Sequence, residues 1–195
     1  MAEIEIPSLK ELEEIGEKKF TRRVALVTAM FAVMLAITSL GGNNAMKEML
    51  LAAQESSNQW AYYQAKVIRE HLYRAQKASL EIQFLEKKDA MKPDVRTQFE
   101  TLLKKAGEEE ARYAAEKKDV EQEARKYEHE REVNRSKDPY FDYAEVLLQI
   151  AIVMASISIL SSSRPVFYFA LVSAGLGTIL SVNGFLLLFR LPFLH

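Results

Sequence analysis

Three stretches of the chain contain no charged residue, and this feature constrains the fold more than any other. They are residues 24–42, 146–163 and 165–189. A helix of roughly 20 apolar residues crosses the hydrocarbon core of a bilayer, and an uncharged run of about 18 or more residues is a candidate span. The sequence therefore predicts three transmembrane helices, with the lipid bilayer as a partner of the protein.

The first two predicted spans are separated by a densely charged insert, residues 43–138. The whole chain contains 26 Lys+Arg and 27 Asp+Glu, and within the insert the two signs are equally frequent and interspersed. Such a balance is typical of a solvated helical surface, whereas nucleic-acid binding requires a patch of one sign. We therefore expect no nucleic-acid partner.

The insert is predicted to form two helices of nearly equal length. The only clear turn signal lies at residues 91–94, because the residue before Pro93 is disfavoured in helical conformation. We expect Gly41 and Gly42 to end the first span, Asn43 or Asn44 to cap the first arm, and 138–139 (Asp-Pro) to end the second arm. Two antiparallel arms of equal length return the chain to the bilayer surface, where the second span must begin.

Both arms carry residues in alternating steps of four and three, the heptad spacing of coiled coils. These predicted seam residues are Ala61, Ala65, Ile68, Leu72, Ala75, Ser79 and Ile82 on the first arm, and Val95, Phe99, Leu102, Ala106, Tyr113, Val120, Ala124 and Tyr127 on the second. Folding about Lys92 pairs Leu72 with Tyr113 and Ile82 with Leu103. The predicted fold class is all-α: three transmembrane helices, with a long antiparallel coiled-coil hairpin inserted between the first and second. Residues 139–195 then carry the second and third spans.

The segment 1–23 precedes the first span. Ser8 and Glu11 fit a capping box, and apolar residues recur at helical spacing. We expect an amphipathic helix at the membrane surface; a solvated helical arm is the alternative. A cleaved signal peptide is not expected because the segment is acidic where a signal peptide is basic. We interpret the first span as a retained signal anchor.

Residues 45–68 are apolar around most of the helix circumference, whereas the facing part of the second arm, 108–137, is mostly charged. A helix that is apolar all round should be buried on several sides, and one charged partner covers only one. We therefore expect a homo-oligomer with the charged arm outside. The predicted interface residues are Met46, Met49, Leu50, Trp60, Tyr63 and Val67. In the alternative, the N-terminal helix covers this surface within one chain.

Two motifs resemble a known family. They are NNA at 43–45 with QWAYYQAK at 59–66 and Arg69, and YFDYAE at 140–145 leading into LLQIAIV at 147–153. With these motifs the chain resembles a bacterial membrane-protein family described as a domain of unknown function (DUF4337). The resemblance implies a bacterial inner-membrane protein and agrees with three spans. It implies no activity and no catalytic residues.

Catalytic signatures are absent from the sequence. His71, His129 and His195 are too few and too scattered for a metal cluster. The chain has no cysteine, no phosphate-binding glycine-rich loop, no HExxH motif and no serine nucleophile elbow. We expect neither an enzyme nor a cofactor or metal site.

The predicted spans contain no ionisable residue, which argues against active transport. Small residues share one face of the third span, at Ser173, Gly177, Ser181 and Gly184. Such a face lets helices approach closely, so we expect it to pack against the second span or a neighbouring subunit. In an alternative, polar residues of the spans (Gln149, Ser156 and Asn183) line a pore.

Two functions are consistent with these features. The first is a membrane-anchored homo-oligomeric coiled-coil scaffold, which binds other copies of itself and an unidentified protein partner. The alternative is a passive channel or pore formed by the oligomer.

The orientation in the membrane is predicted from basic residues. In a three-span chain, the basic residues before the first span and Arg164, between the second and third spans, lie on the same side. The positive-inside rule makes that side cytoplasmic and places the hairpin and His195 outside the bacterial cytoplasmic membrane.

Overall fold

The structure, a computed structural model, describes residues 9–189. These residues form three helices and no strand: α1 (Leu9–Lys87), α2 (Pro93–Leu160) and α3 (Arg164–Leu186). Each helix contains a stretch that is long and apolar enough to cross a membrane. The predicted all-α class is therefore confirmed, and the helices are consistent with a membrane protein. Ser8 of the predicted capping box and His195 lie outside the described residues.

The chain divides into two compact units. One comprises Met1–Met49 and Val133–His195 and is called the three-helix unit here; the other, the two-helix unit, is Leu50–Glu132. The three-helix unit contains the three uncharged runs of the sequence. The two-helix unit contains most of the charged insert.

The prediction that Gly41 and Gly42 end a helix is wrong, because α1 continues through both residues and through Asn43 and Asn44. Neither glycine has a positive φ. A Cβ on Gly41 would lie 2.6 Å from the ring of Phe185 and 2.7 Å from that of Phe141. Glycine is present at this position because two aromatic rings pack against the helix backbone, and not because the helix turns.

The prediction that 138–139 (Asp-Pro) ends the second arm is also wrong. Pro139 lies inside α2, where its missing N–H removes one helical hydrogen bond. The next two residues, Tyr140 and Phe141, are almost fully buried in the three-helix unit. The Tyr140 hydroxyl also donates a hydrogen bond to the Phe189 carbonyl oxygen at 3.0 Å. This burial offsets the lost backbone bond and keeps the segment helical.

The turn between α1 and α2 lies where the sequence predicted it. α1 ends at Lys87 and α2 begins at Pro93. Proline is favoured at the first position of a helix, because its φ is already helical and its missing N–H has no partner there in any case. The Lys92 carbonyl accepts the N–H groups of Val95 and Arg96, each at 3.1 Å, and so starts the second helix.

The core of the three-helix unit consists mainly of small residues. Its buried cluster comprises Val24, Phe31, Leu148, Ala151, Ala155, Ala170 and Ala174. Alanines at these positions allow the helix backbones to approach closely. At one end of the unit, the rings of Phe20 and Phe167 meet edge to face with centroids 5.9 Å apart.

The outer surface of the three-helix unit is apolar. Large apolar side chains are exposed along α1, α2 and α3, among them Leu26, Met30, Val33, Val153, Ile157, Val172 and Ile179. In water, a continuous surface of this kind would drive association. In a bilayer, hydrocarbon chains would cover it, so this surface is consistent with a membrane protein.

In the two-helix unit, the residues of α1 and α2 contact each other in antiparallel order. Trp60 meets Glu128, Tyr73 stacks on Tyr113, and Phe84 lies near Phe99. The residue number rises along α1 as it falls along α2. Each turn of α1 in this unit therefore faces one particular turn of α2.

Candidate functional site

Charged residues are buried in the contact between α1 and α2. Lys66 and Glu70 on α1 are almost fully buried. Lys66 pairs with Glu116 of α2, and Glu70 accepts hydrogen bonds from Lys117 at 2.5 Å and from Arg74 at 2.6 Å. A buried charge is tolerated only when it is paired and hydrogen-bonded. Because each of these pairs forms at one relative position of the helices, the pairs fix the register.

Hydrogen bonds across this contact shift the pKa values of its carboxyl groups. A hydrogen bond from Lys117 lowers the pKa of Glu70, and one from Lys66 lowers that of Glu116. Glu110 accepts hydrogen bonds from Arg74, which lowers its pKa as well. The Glu116 hydrogen bond in turn raises the pKa of Lys66. Each shift favours the charged form and thus the paired state.

Aromatic side chains also take part in the contact between α1 and α2. The Trp60 indole donates to the Glu128 carboxylate at 3.0 Å and meets the Tyr63 ring edge to face at 5.4 Å. Tyr73 and Tyr113 stack with their centroids 5.6 Å apart. The contact is therefore mixed, with rings and ion pairs in place of a continuous aliphatic seam.

The predicted seam of α1 is wrong by one or two residues, since Lys66 and Glu70 are buried in place of Ala65 and Ile68, whereas the predicted register is close. Leu72 was expected against Tyr113, but the neighbouring Tyr73 occupies that position. Ile68, Leu72 and Ile82 are 67%, 62% and 58% exposed. Each residue corresponds to about 100° of rotation, so a shift of one to two residues turns the predicted face of α1 away from α2. The physical reason is the set of ion pairs, because Lys66 and Glu70 are inward only when this apolar face is outward.

The second arm follows the sequence prediction more closely. Ala106, Tyr113, Val120 and Ala124 are buried, and Phe99 and Tyr127 are half-buried. The two exceptions, Val95 and Leu102, are exposed.

The seven predicted seam residues of α1 form a surface that is named the outer stripe here: Ala61, Ala65, Ile68, Leu72, Ala75, Ser79 and Ile82. All are exposed except Ala65, which is half-buried. The positions that flank a heptad seam on its two sides are Tyr62, Arg69, Gln76 and Gln83, and Gln64, His71, Ala78 and Leu85. Arg69 is the only Lys, Arg, Asp or Glu among them. The outer stripe is thus apolar except for Ser79, and the positions that flank it are almost uncharged.

The predicted interface residues fall into two groups. Met46 and Leu50 are exposed, while Met49 and Val67 are half-buried. Trp60 and Tyr63 are half-buried and contact each other within the chain. Their rings therefore contribute to the packing of one chain, and only the exposed remainder is free for a neighbour.

The predicted small residues of α3 are all buried within the three-helix unit. Ser173 donates to the Leu147 carbonyl oxygen at 2.8 Å, and the Ser181 hydroxyl lies 2.8 Å from that of Thr38 on α1. A Cβ on Gly177 would lie 3.0 Å from the Ala144 carbonyl oxygen. A Cβ on Gly184 would lie 3.0 Å from the ring of Phe141. This face of α3 packs against both other helices of the unit.

The residues considered for a pore do not share one environment. Asn183 is buried, and its side-chain amide makes two hydrogen bonds to the Phe189 backbone at 2.8 and 2.9 Å. Gln149 and Ser156 are exposed, and the Ser156 hydroxyl donates to the Ile152 carbonyl oxygen. His71 and His129 are exposed. Within residues that the structure describes, no group of three or more potential ligands could hold a metal ion.

Sequence reasoning missed the buried charges and the packing of the Phe141 ring against glycines of two other helices. A signal for the charges exists: once the chain is folded near Lys92, Lys66 lies opposite Glu116 and Glu70 opposite Lys117. The role of Phe141 has no local signal, because it depends on Gly41 and Gly184 of two other helices.

A family model described as a domain of unknown function (DUF4337) matches residues 20–187. The match contains both motifs that suggested this family, so the resemblance is confirmed. It also contains the outer stripe and the small residues of α3. No curated protein and no solved structure matches the chain.

Proposed function

The chain belongs to the family described as a domain of unknown function (DUF4337), and we propose that it is a membrane-anchored, homo-oligomeric scaffold. In this proposal, the three-helix unit spans the cytoplasmic membrane of a bacterium. The two-helix unit is an antiparallel coiled-coil hairpin outside that membrane, where it holds copies of the chain together and offers a surface to another protein.

The exposed outer stripe is the observation that carries this proposal. Ile68, Leu72 and Ile82 are each more than half exposed, although the helix that bears them is bathed by water in this topology. Heptad-spaced apolar residues are the pattern by which helices pair along their length. Since α2 covers the opposite face of α1, the stripe remains available to a second chain.

A second copy in the same orientation fits the stripe. Copies anchored in one membrane have their α1 helices pointing the same way, so two stripes meet in parallel. In a parallel pair, a residue before one seam position faces the residue five positions later on the partner. This places Gln64 opposite Arg69, His71 opposite Gln76 and Ala78 opposite Gln83. None of these pairs places two charges of Lys, Arg, Asp or Glu together.

The interface predicted from the sequence is modified accordingly. Leu50 and Leu51 are exposed and available to a neighbouring chain. Trp60 and Tyr63 act mainly inside the chain, where they hold α1 against α2. The interface that we propose is therefore centred on the outer stripe, and Met46, Met49 and Val67 stay predictions at its margin.

Among residues 9–189, which the structure describes, no observation favours the channel alternative. Of the three polar residues considered for a pore wall, Asn183 has both polar atoms of its amide bonded within the chain. The Ser156 hydroxyl is bonded to its own helix. Of the three, Gln149 alone remains a candidate for a pore wall as the sequence suggested it.

Charge insertion in the stripe tests the proposal. We expect the wild-type protein to be an oligomer in native mass spectrometry from mild detergent, and Ile68→Glu/Leu72→Glu to be a monomer of unchanged helical content. Both substitutions lie on exposed positions, so the fold of the single chain should persist. The matched control is Leu102→Glu, an exposed leucine on α2, which should stay oligomeric. A monomeric wild type, or an oligomer that survives the double substitution, would contradict the proposal.

A further inference from the structure

We propose that one end of the three-helix unit binds the headgroup of an anionic phospholipid. An open cavity of about 400 Å³ lies there, between residues 17–25 of α1 and the turn that joins α2 to α3. It is lined by Glu17, Lys18, Thr21, Arg22, Ala25 and Ser162. Two cations and two hydroxyl groups thus converge on one small space. A phosphate group is the ligand chemistry that such a set recognises.

The surroundings of this cavity are positively charged. Lys19, Arg23 and Arg164 add three further cations to Lys18 and Arg22, and all five side chains are exposed. None of the ion pairs between described residues involves them. Among the described residues, Glu17 is the one acidic residue that lines the cavity. Among the side chains that the structure describes here, five cations stand against this one carboxylate, which favours an anion at this place.

The cavity lies at the level where the apolar helix surface begins. Phe20 contacts Phe167 and Val24 is fully buried, so the packed core starts directly beside Lys18 and Arg22. On α2 and α3, the apolar runs end at Leu160 and begin again after Arg164. In a bilayer spanned by these helices, this level is the headgroup region, where basic residues attract anionic lipids.

A lipid is the occupant because the surface beside the cavity also accommodates acyl chains. Leu26 and Met30 are exposed apolar side chains on α1, the helix that lines most of the cavity, and Phe169 is exposed on α3, which follows the lining turn. A headgroup in the cavity would place its chains along this surface, whereas a free phosphate would gain nothing from it. This inference rests on the membrane anchoring in the proposed function and is independent of the oligomer.

Native mass spectrometry of the full-length protein in detergent tests the inference. Phosphatidylglycerol and phosphatidylcholine are added at equal concentration, and the lipid molecules retained per chain are compared. We expect the wild type to retain phosphatidylglycerol on the order of tenfold more strongly, because each basic side chain near an anionic surface adds to the attraction. Lys18→Gln/Arg22→Gln should lose this preference.

The matched control, Lys104→Gln/Lys105→Gln, removes two exposed cations from the two-helix unit and should keep the preference. Equal retention of both lipids by the wild type, or an unchanged preference in Lys18→Gln/Arg22→Gln, would overturn the inference. Displacement of phosphatidylglycerol by millimolar inorganic phosphate would also overturn it, in favour of a free-anion site. The same spectra report the subunit number, so failure of lipid selectivity in an intact oligomer would sink this inference alone.

Discussion

At the scale of the residue, Lys66 and Glu70 take positions where a coiled coil ordinarily has apolar side chains. Both are buried and both are paired with α2, through Glu116 and Lys117. Desolvation makes such pairs weak sources of stability, but removal of one partner is costly because the other charge stays unpaired. We interpret these pairs as determinants of register and of which face of α1 is inward.

The ion pairs predict a pH dependence of the two-helix unit. The pKa values of Glu70, Glu110 and Glu116 are lowered from the ordinary value of 4.5 by hydrogen bonds from Lys or Arg. A lowered carboxyl pKa stabilises the folded state above the unfolded pKa, and this contribution is lost as the pH falls through the folded pKa. We therefore expect the thermal midpoint, followed by circular dichroism, to fall steadily as the pH drops below 4.5.

The matching variant is Glu70→Gln/Glu110→Gln/Glu116→Gln. Its midpoint at neutral pH should be lower than that of the wild type, and its acid dependence should be weaker because the coupled carboxyl groups are gone. If the thermal midpoint of the variant fell with decreasing pH as steeply as that of the wild type, the ion pairs would not be the cause of this fall.

The buried ion pairs explain why the sequence predicted the register of the two arms correctly but not which face of α1 contacts α2. The register follows from Pro93 and from the equal lengths of the arms, which are local and countable features. The face depends on a choice between an apolar stripe with Leu72 and a mixed stripe with Tyr73. Periodicity favours the first, whereas the charges of α2 stabilise the second.

At the scale of the element, two prolines in similar surroundings have different effects. Pro93 follows Lys92 and begins α2, while Pro139 follows Asp138 and lies inside the same helix. Local sequence does not separate the two cases. The residues after Pro139, Tyr140 and Phe141, are buried, and the close packing of Phe141 depends on Gly41 of α1 and Gly184 of α3. Helix ends at glycine and proline could therefore not be predicted from the neighbouring residues alone.

The packing around Gly41 gives a prediction of opposite sign at two glycines. Gly41→Ala should lower the thermal midpoint in detergent, because its Cβ would lie 2.6 and 2.7 Å from the rings of Phe185 and Phe141, and the second ring is buried. Gly175→Ala should leave the midpoint unchanged or raise it, because nothing lies within 4 Å of its Cβ and alanine favours the helix by about 1 kcal/mol. Equal midpoints for the two variants would argue against this close packing.

At the scale of the whole molecule, the two units differ in the charge of their surfaces. The three-helix unit has large apolar side chains on its surface and mainly small side chains in its core, as expected of helices surrounded by lipid. The two-helix unit is charged on α2 and apolar on the outer stripe of α1. A chain with these two kinds of surface has one candidate partner in the bilayer and another in a second copy of itself.

The orientation of the molecule is a separate prediction. If the three helices span a membrane, five basic residues lie on one side, and the positive-inside rule predicts that this side is cytoplasmic: Lys18, Lys19, Arg22, Arg23 and Arg164. A fusion of alkaline phosphatase at Asp94 should therefore be active in a bacterial cell. A green fluorescent protein fused at the same residue should be dark. The reverse pair of results would place the two-helix unit in the cytoplasm.

Disulfide cross-linking in intact membranes tests the central claim most directly, because the chain contains no cysteine of its own. In a parallel pair of outer stripes, each Leu72 faces Leu72 of the neighbouring chain. Leu72→Cys should therefore form a covalent dimer on mild oxidation, while Leu102→Cys, on the exposed surface of α2, should not. Absence of the dimer at position 72, or equal dimer formation at positions 72 and 102, would contradict self-association through the outer stripe.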